Sequence, residues 1–117
     1  MTYVDGFLLA VPKASKNSYI SLSEKVATIY KKHGALSVCE CWGDDLPEGE
    51  INSMHTAVMR KPDEAVVFSW VIWPDKAVRD NVHDKIVETM HEELGSDPVP
   101  FDGSRMIFGG FDVILDQ

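Results

Sequence analysis

The sequence has few of the features that mark membrane proteins and nucleic-acid-binding proteins. No apolar run approaches the roughly 20 residues that a membrane-spanning helix needs, so we expect no membrane partner. Lys and Arg number 11 against 19 Asp and Glu, which gives a formal net charge of -8. An acidic balance of this kind repels phosphate backbones. The sequence therefore predicts that nucleic acid is not a partner either.

Cysteine and histidine are also scarce, with two and four residues respectively. Cys39 and Cys41 are two positions apart on an extended segment, which is poorly suited to a disulfide between them. We interpret both as reduced thiols, and no second Cys/His pair stands at metal-ligand spacing. His83 and His91 are about 12 Å apart along a predicted helix, too far to bind one ion directly. The sequence thus predicts neither a metal site nor a cofactor.

The remaining composition is that of an ordinary globular domain. The chain has 117 residues, of which 44% are hydrophobic and 26% charged. A chain of this length buries roughly two-thirds of its unfolded surface, and we expect a single domain over residues 1–117. The first five residues include Asp5 and no basic residue, unlike a secretory signal. The predicted location is the cytoplasm.

Hydrophobic periodicity predicts four strands and two long helices. Continuous or alternating apolar residues indicate strands at residues 3–11, 35–42, 65–73 and 105–115. Apolar residues three and four apart indicate one helix that starts at Ser15 or Asn17 and ends before Gly34. The same spacing indicates a second helix over residues 75–94, with Asp75 as its N-cap.

The order of these elements is the split βαβ pattern of the ferredoxin-like fold, βαββαβ. We expect an α+β domain with a four-stranded antiparallel sheet, its first and third strands central, and two helices on one face. The pair Gly109 and Gly110 predicts a bulge or a close backbone approach in the fourth strand. Both faces of the central strands are apolar, so the uncovered face would expose more apolar surface than a soluble monomer usually shows. The sequence therefore predicts a homodimer with facing sheets, a dimeric alpha-beta barrel.

Four segments of the sequence resemble the YbaA-like family, a group of small bacterial proteins of unknown function. They are YVDGF at 3–7, ECWGDDLPEG at 40–49, KPDEAVVFSWVIWPDKAVRD at 61–80 and PFDGSRMIFGGF at 100–111. The resemblance covers nearly the whole chain and implies a cytoplasmic homodimer of ferredoxin-like subunits. It implies no catalytic residues, because the family has no established active site. The wider superfamily includes cofactor-free monooxygenases and haem-degrading enzymes, and sharing its fold assigns no chemistry.

The connection over residues 43–64 is long for a compact domain. Its prolines and glycines interrupt any long element, although residues 52–60 favour a short helix. We interpret the connection either as a lid over a site or as a flap that extends a dimer interface. His55 lies in this connection and is the histidine that we take as a candidate site residue.

Glu40 is the candidate catalytic residue. It shares a predicted strand face with Val38 and Trp42, and a carboxyl group in apolar surroundings has a raised pKa that suits a general base. The alternative interpretation is a salt bridge from Glu40 to Arg79 or Arg105 near the sheet edge.

The candidate ligand-binding residues are Trp42, Trp70, Ser69, His55 and Arg79. Tryptophans on two strands favour an aromatic wall, and the alternative is that they are core and interface residues. Together with Glu40 they predict that a small aromatic or apolar metabolite binds in a pocket between sheet and helices. The protein is then a binding protein or a cofactor-independent enzyme. The alternative function is a structural or protein-interaction dimer with no catalytic activity.

Overall fold

A computed structural model describes residues 2–117, and within them the elements follow the predicted order. The strands are β1 (Tyr3–Pro12), β2 (Ser37–Trp42), β3 (Glu64–Trp73) and β4 (Ile107–Asp112). The helices are α1 (Lys16–Lys32), α2 (Met54–Ala57) and α3 (Lys76–Leu94). The four predicted strands and both long helices are confirmed, with ends shifted by a few residues. None of the helices in this part of the chain is long and apolar enough to cross a membrane.

The strands form one antiparallel sheet in the order β2-β3-β1-β4. β1 and β3 are therefore central, as predicted, and they pair along their whole length, from Tyr3 opposite Trp73 to Pro12 opposite Glu64. Both long helices pack on the same face of this sheet. This is the α+β ferredoxin-like arrangement that the order of the elements predicts.

The face under α1 and α3 holds most of the buried core. Apolar side chains at every second position of the central strands meet the apolar stripes of the two helices there. The strand residues at most 3% exposed on this face are Leu9, Val11, Val67, Val71 and Trp73. Ile29 of α1 and Ile86 of α3 pack against them and are equally buried. The period of two in the strands and the period of about 3.6 in the helices therefore identify the residues that the sheet and the helices contribute to one core.

The ends of the long helices follow local chemistry. The Asp75 carboxylate accepts a 2.9 Å hydrogen bond from the backbone N–H of Val78, so the predicted N-cap of α3 is confirmed. Gly34 has a φ of +104°, a left-handed conformation that favours glycine and lets the chain leave α1. Gly95 keeps a right-handed φ of -61°, so α3 ends without a left-handed residue.

The glycine pair of β4 permits a close approach and makes no bulge. β4 pairs with β1 in regular register, with Gly109 opposite Gly6 and Gly110 opposite Asp5. A Cβ atom added at Gly110 would overlap the ring and hydroxyl of Tyr3. The predicted close approach is confirmed, because only glycine leaves room for Tyr3 at that position.

The other face of the sheet is covered at one end only. Val58, directly after α2, is fully buried against Ala10 and Val66. Beyond that end, three large apolar side chains of this face are 46–62% exposed, namely Phe68, Ile107 and Phe111. The connection between β2 and β3 therefore covers part of this face and leaves the rest uncovered.

Candidate functional site

The sheet separates two cavities, one on each face. The cavity between the sheet and the long helices, here called the inner cavity, has a volume of about 220 Å³. The groove on the opposite face, here called the open-face groove, has a volume of about 630 Å³. Both are lined mainly by apolar side chains, but of the two only the inner cavity has a carboxylate in its lining.

The inner cavity draws its walls from α1, α3, the central strands, β2 and the segment before β4. Its lining residues are Phe7, Leu9, Tyr19, Leu22, Ser23, Val26, Tyr30, Val38, Glu40, Ser69, Val71, Met90, Phe101 and Met106. Polar groups are few among them, which is typical of a site where a small number of polar atoms orients an apolar ligand.

Glu40 lies on the helix-facing side of β2, where Tyr19 of α1 holds it. The Tyr19 hydroxyl donates a 2.5 Å hydrogen bond to Oε1 of Glu40. Tyr19 itself is 7% exposed and meets the Phe101 ring edge-on, with 5.8 Å between ring centroids. Within residues 2–117, Oε2 of Glu40 has no hydrogen-bond partner. One carboxylate oxygen is thus fixed by the protein and the other is available to a ligand.

The surrounding protein shifts the titration of both groups. Burial raises the pKa of the Glu40 carboxyl, and the hydrogen bond from Tyr19 opposes that rise. Burial and the adjacent Glu40 carboxylate raise the pKa of the Tyr19 hydroxyl. Glu40 is nevertheless exposed to solvent on one side, because it lies at the border of the cavity. A ligand that displaces this solvent would raise the pKa of Glu40 further.

Ser69 is the candidate residue that the fold brings to Glu40. The two residues are directly opposite each other in the pairing of β2 with β3. Ser69 is 4% exposed and lines the inner cavity. The structure therefore places two of the residues singled out in the sequence in one cavity.

The structure separates the tryptophans from this site. Trp70 lies on the opposite face of β3, lines the open-face groove, and meets Phe68 edge-on at 5.4 Å. Trp42 lies on the helix-facing side but packs in the core without lining the inner cavity, and the Lys16 ammonium stands 5.2 Å from its ring centroid. The expectation that Trp42, Trp70 and Glu40 line one pocket is therefore wrong.

Arg79 binds Asp5 and makes no salt bridge to Glu40. Its Nη2 and Nε atoms donate hydrogen bonds of 2.8 and 3.2 Å to the Asp5 carboxylate, which also accepts a 2.9 Å hydrogen bond from Trp73. Arg105 donates two 2.7 Å hydrogen bonds to a buried carboxylate at the start of β3. The salt-bridge alternative for Glu40 is therefore wrong, and Arg79 joins β1 to α3 away from both cavities.

His55 holds the connection between β2 and β3 together. Its Nε2 atom donates a 3.0 Å hydrogen bond to the carbonyl of Leu46, and its Nδ1 atom accepts a 2.9 Å hydrogen bond from Arg60. His55 lines neither cavity, whereas the preceding Met54 borders the open-face groove. This position gives His55 a structural role.

Tyr19 is the site residue that sequence reasoning misses. It belongs to the apolar stripe of α1, and a tyrosine on such a stripe buries a hydroxyl that needs a partner. That requirement is the one signal in the sequence. Phe101 and Met106 carry no signal, because they precede β4 in an irregular segment whose path depends on tertiary contacts.

The thiols do not form part of a larger cluster. Sγ of Cys39 and Sγ of Cys41 are 3.8 Å apart on the open face of β2, and both thiols are free. In the part of the chain that the structure describes, no three His, Cys, Asp or Glu side chains come together as ligands for a metal ion.

The chain is similar over its full length to bacterial proteins. It is 42% identical to "Uncharacterized protein YbaA" of Escherichia coli (strain K12) over 117 residues, which are 100% of both chains. The identity and coverage are the same for the YbaA protein of Shigella flexneri. A crystal structure of a dimeric ferredoxin-like protein from an uncultured marine organism covers 99% of this chain and 98% of its own. Its TM-score is 0.59 at 12% identity, which supports the fold alone.

Residues 2–103 match the family described as "Protein of unknown function (DUF1428)". That match covers most of the chain, and the full-length similarity to YbaA extends it to both ends. The resemblance drawn from the four sequence segments is thereby confirmed, and the chain belongs to this family.

Proposed function

We propose that the protein binds a small aromatic or apolar metabolite in the inner cavity, with Glu40 as its polar contact. The observation that carries this proposal is an apolar cavity of about 220 Å³ with one carboxylate in its wall, held by a buried tyrosine. The volume lies below the roughly 300–1,000 Å³ typical of sites for drug-sized molecules. A ligand of one or two rings fits that size.

Glu40 is also equipped for catalysis. Burial favours its neutral form, while the hydrogen bond from Tyr19 favours its charged form. A carboxyl group under these opposing influences suits proton abstraction from a bound molecule, since general bases need a raised pKa and a fixed position. This chemistry needs no cofactor.

We propose further that the protein is a homodimer in which the open-face grooves of two protomers face each other. Burying several hundred Å² of apolar surface at about 25 cal/mol per Å² contributes on the order of 10 kcal/mol of stabilisation. A monomer that leaves this surface in water does not gain that free energy. A two-fold partner presents the same apolar groove and is complementary in character. The ferredoxin-like protein with the similar fold is described as dimeric, which supports the same assembly here. We also propose a cytoplasmic location, since the chain has only two cysteines and small secreted domains are typically rich in disulfides.

The proposed ligand site is tested by a thermal-shift screen of one- and two-ring metabolites on the full chain. A ligand at 100 times its Kd adds about 2.7 kcal/mol of stability, which raises the Tm of a domain this size by several degrees. Glu40→Gln should abolish or sharply reduce that rise. Glu50→Gln, the same substitution at an exposed position that does not line the cavity, should leave it unchanged.

The competing function is a structural or protein-interaction dimer whose cavity binds nothing. It predicts that no ligand of the screen raises the Tm, and that Glu40→Gln and Glu50→Gln behave alike. Either result would contradict the proposed ligand site.

A further inference from the structure

The polar end of the inner cavity has one negative group and no positive one. Within residues 2–117, no Lys, Arg or His side chain lines the cavity. Arg79 and Arg105, which the sequence offers as partners for Glu40, are bound to other carboxylates. The charge that a ligand meets in this cavity is therefore that of Glu40 alone.

The hydrogen bonds of Glu40 determine what it offers to a ligand. Tyr19 donates its only hydroxyl proton to Oε1, so it has no donor left for a ligand oxygen. Oε2 has no partner in the part of the chain that the structure describes. A carboxylate oxygen accepts hydrogen bonds and donates none. The border of the cavity thus carries a charged acceptor that is open to solvent on one side and held through Oε1 next to an apolar wall.

We infer that the inner cavity selects uncharged ring compounds that carry an O–H or N–H donor, with phenols as the typical class, and rejects carboxylates and phosphates. This inference rests on the proposed ligand site and names the chemical class that it takes. A phenol places its ring against the apolar wall and donates to Oε2. An anion of the same shape brings a second negative charge to Glu40 where no cation compensates it.

Tyr19 is the positioning residue in this account. Its hydrogen bond keeps Oε1 occupied and so leaves Oε2 as the carboxylate oxygen open to a ligand, while its ring packs edge-on against Phe101. Tyr19→Phe keeps the ring and removes the hydroxyl. We expect the fold to survive, because the ring supplies the packing, and we expect the preference for phenols to weaken.

The test uses 2-naphthol and 2-naphthoate, which share one ring system and differ in carrying a neutral donor or an anionic group. Their dissociation constants are measured on the full chain at pH 7 by NMR titration, with the Glu40 and Ser69 amide signals locating the site. We expect 2-naphthol to bind at least about tenfold more tightly than 2-naphthoate. Glu40→Gln should remove most of that difference, because it removes the charge and keeps the shape, while Glu50→Gln should preserve it.

The outcomes separate this inference from the proposed function. If 2-naphthoate binds at the Glu40 and Ser69 signals as tightly as 2-naphthol, the selectivity inference is overturned and the ligand site stands. If selectivity exists but Glu40→Gln leaves it unchanged, Glu40 is not its source and the inference is likewise overturned. If neither compound shifts these signals up to its solubility limit, the proposed ligand site is contradicted together with the inference.

Discussion

Single residues in this protein show how a charged group is kept inside the fold. Asp5 lies on a central strand and its side chain is 12% exposed, yet it accepts hydrogen bonds from Arg79 and Trp73. Glu64 is buried more deeply, with 4% of its side chain exposed, and Arg105 binds both of its oxygens. Each carboxylate joins the sheet to an element outside it. Neither is free for the chemistry proposed for Glu40.

Replacing Asp5 by Asn should destabilise the protein through its unpaired arginine. Asp5→Asn leaves Arg79 partly buried without its main counter-charge, and we expect a loss of about 2 kcal/mol, less than for a fully buried pair because Arg79 is partly exposed. Asp80→Asn removes the exposed carboxylate that contacts the same arginine, and we expect it to change stability far less, because exposed ion pairs contribute little. Urea unfolding of both variants measures the difference. Equal losses of unfolding free energy in the two variants would show that the Asp5–Arg79 pair stabilises the fold no more than the exposed Asp80–Arg79 pair.

Glu64 should make the protein sensitive to acid in a defined pH range. The hydrogen bonds from Arg105 lower the pKa of Glu64 from 4.5 to about 2. A lowered pKa in the folded state means that the stabilisation is complete above pH 4.5 and is lost as the pH falls toward 2. We expect the free energy of unfolding to drop in this range by on the order of 2 kcal/mol, allowing for solvent screening.

The check on Glu64 is the unfolding free energy as a function of pH for the wild type and two variants. Glu64→Gln should lower stability near neutral pH and flatten the curve between pH 4.5 and 2. Glu50→Gln, at an exposed position, should keep the wild-type slope. An unchanged slope in Glu64→Gln would mean that other carboxylates cause the acid sensitivity.

At the residue scale, sequence reasoning identifies Glu40 but not its partner. A carboxylate flanked by apolar residues at period two is visible in the pattern of β2. Its partner Tyr19 comes from a helix that crosses the sheet, and the position of that crossing depends on packing and not on the spacing of either element. The predicted salt bridge from Glu40 to Arg79 or Arg105 is wrong for the same reason. The packing of the elements places these arginines next to carboxylates on β1 and β3 instead.

At the scale of elements, the strands and helices are predictable because periodicity reports burial directly. Which residues of neighbouring strands share a face of the sheet is not predictable in the same way. In β2 and β3 the sequence shows which residues alternate together, but a shift of one residue in pairing exchanges the two faces of a strand. The observed register puts Glu40 opposite Ser69, so Trp70 faces the other side. A pocket that spans two strands therefore cannot be assembled before the register is known.

The pairing of β4 with β1 should depend on Gly110, because this position leaves no room for a Cβ atom beside Tyr3. Gly110→Ala places a Cβ atom in the space of the Tyr3 ring, and we expect a loss of about 1–3 kcal/mol because either the ring or β4 must move. Gly103→Ala is the matched control, since nothing lies within 4 Å of the added atom. Thermal unfolding of the two variants distinguishes them. A neutral Gly110→Ala would show that β4 is loosely attached.

At the scale of the whole molecule, the two faces of the sheet differ in what covers them and in the role that we propose for each. The helix-covered face holds the core and the inner cavity, and the open face holds the groove that we propose as the dimer interface. The apolar character of both faces is visible in the sequence. The role of each face is not visible in the sequence, because it depends on which helices and loops cover that face and how far they extend over it.

A single charge on the open face should separate the proposed dimer into monomers. Phe68→Asp places a carboxylate in the open-face groove, where burial against a second protomer would be costly. Ile20→Asp is the matched control, since Ile20 is 45% exposed on α1 and Phe68 is 46% exposed on the sheet. Size-exclusion chromatography with light scattering should show a lower mass for Phe68→Asp and no change for Ile20→Asp. The same mass in both variants would place the interface elsewhere.

The measurement that tests the division between the two faces most directly is sedimentation of the wild-type chain at low micromolar concentration. The chain has a mass of 13.1 kDa, and a second copy on the open face predicts a folded species of about twice that mass. A folded species that sediments near 13.1 kDa would contradict the account, because the open-face groove would then remain uncovered in water.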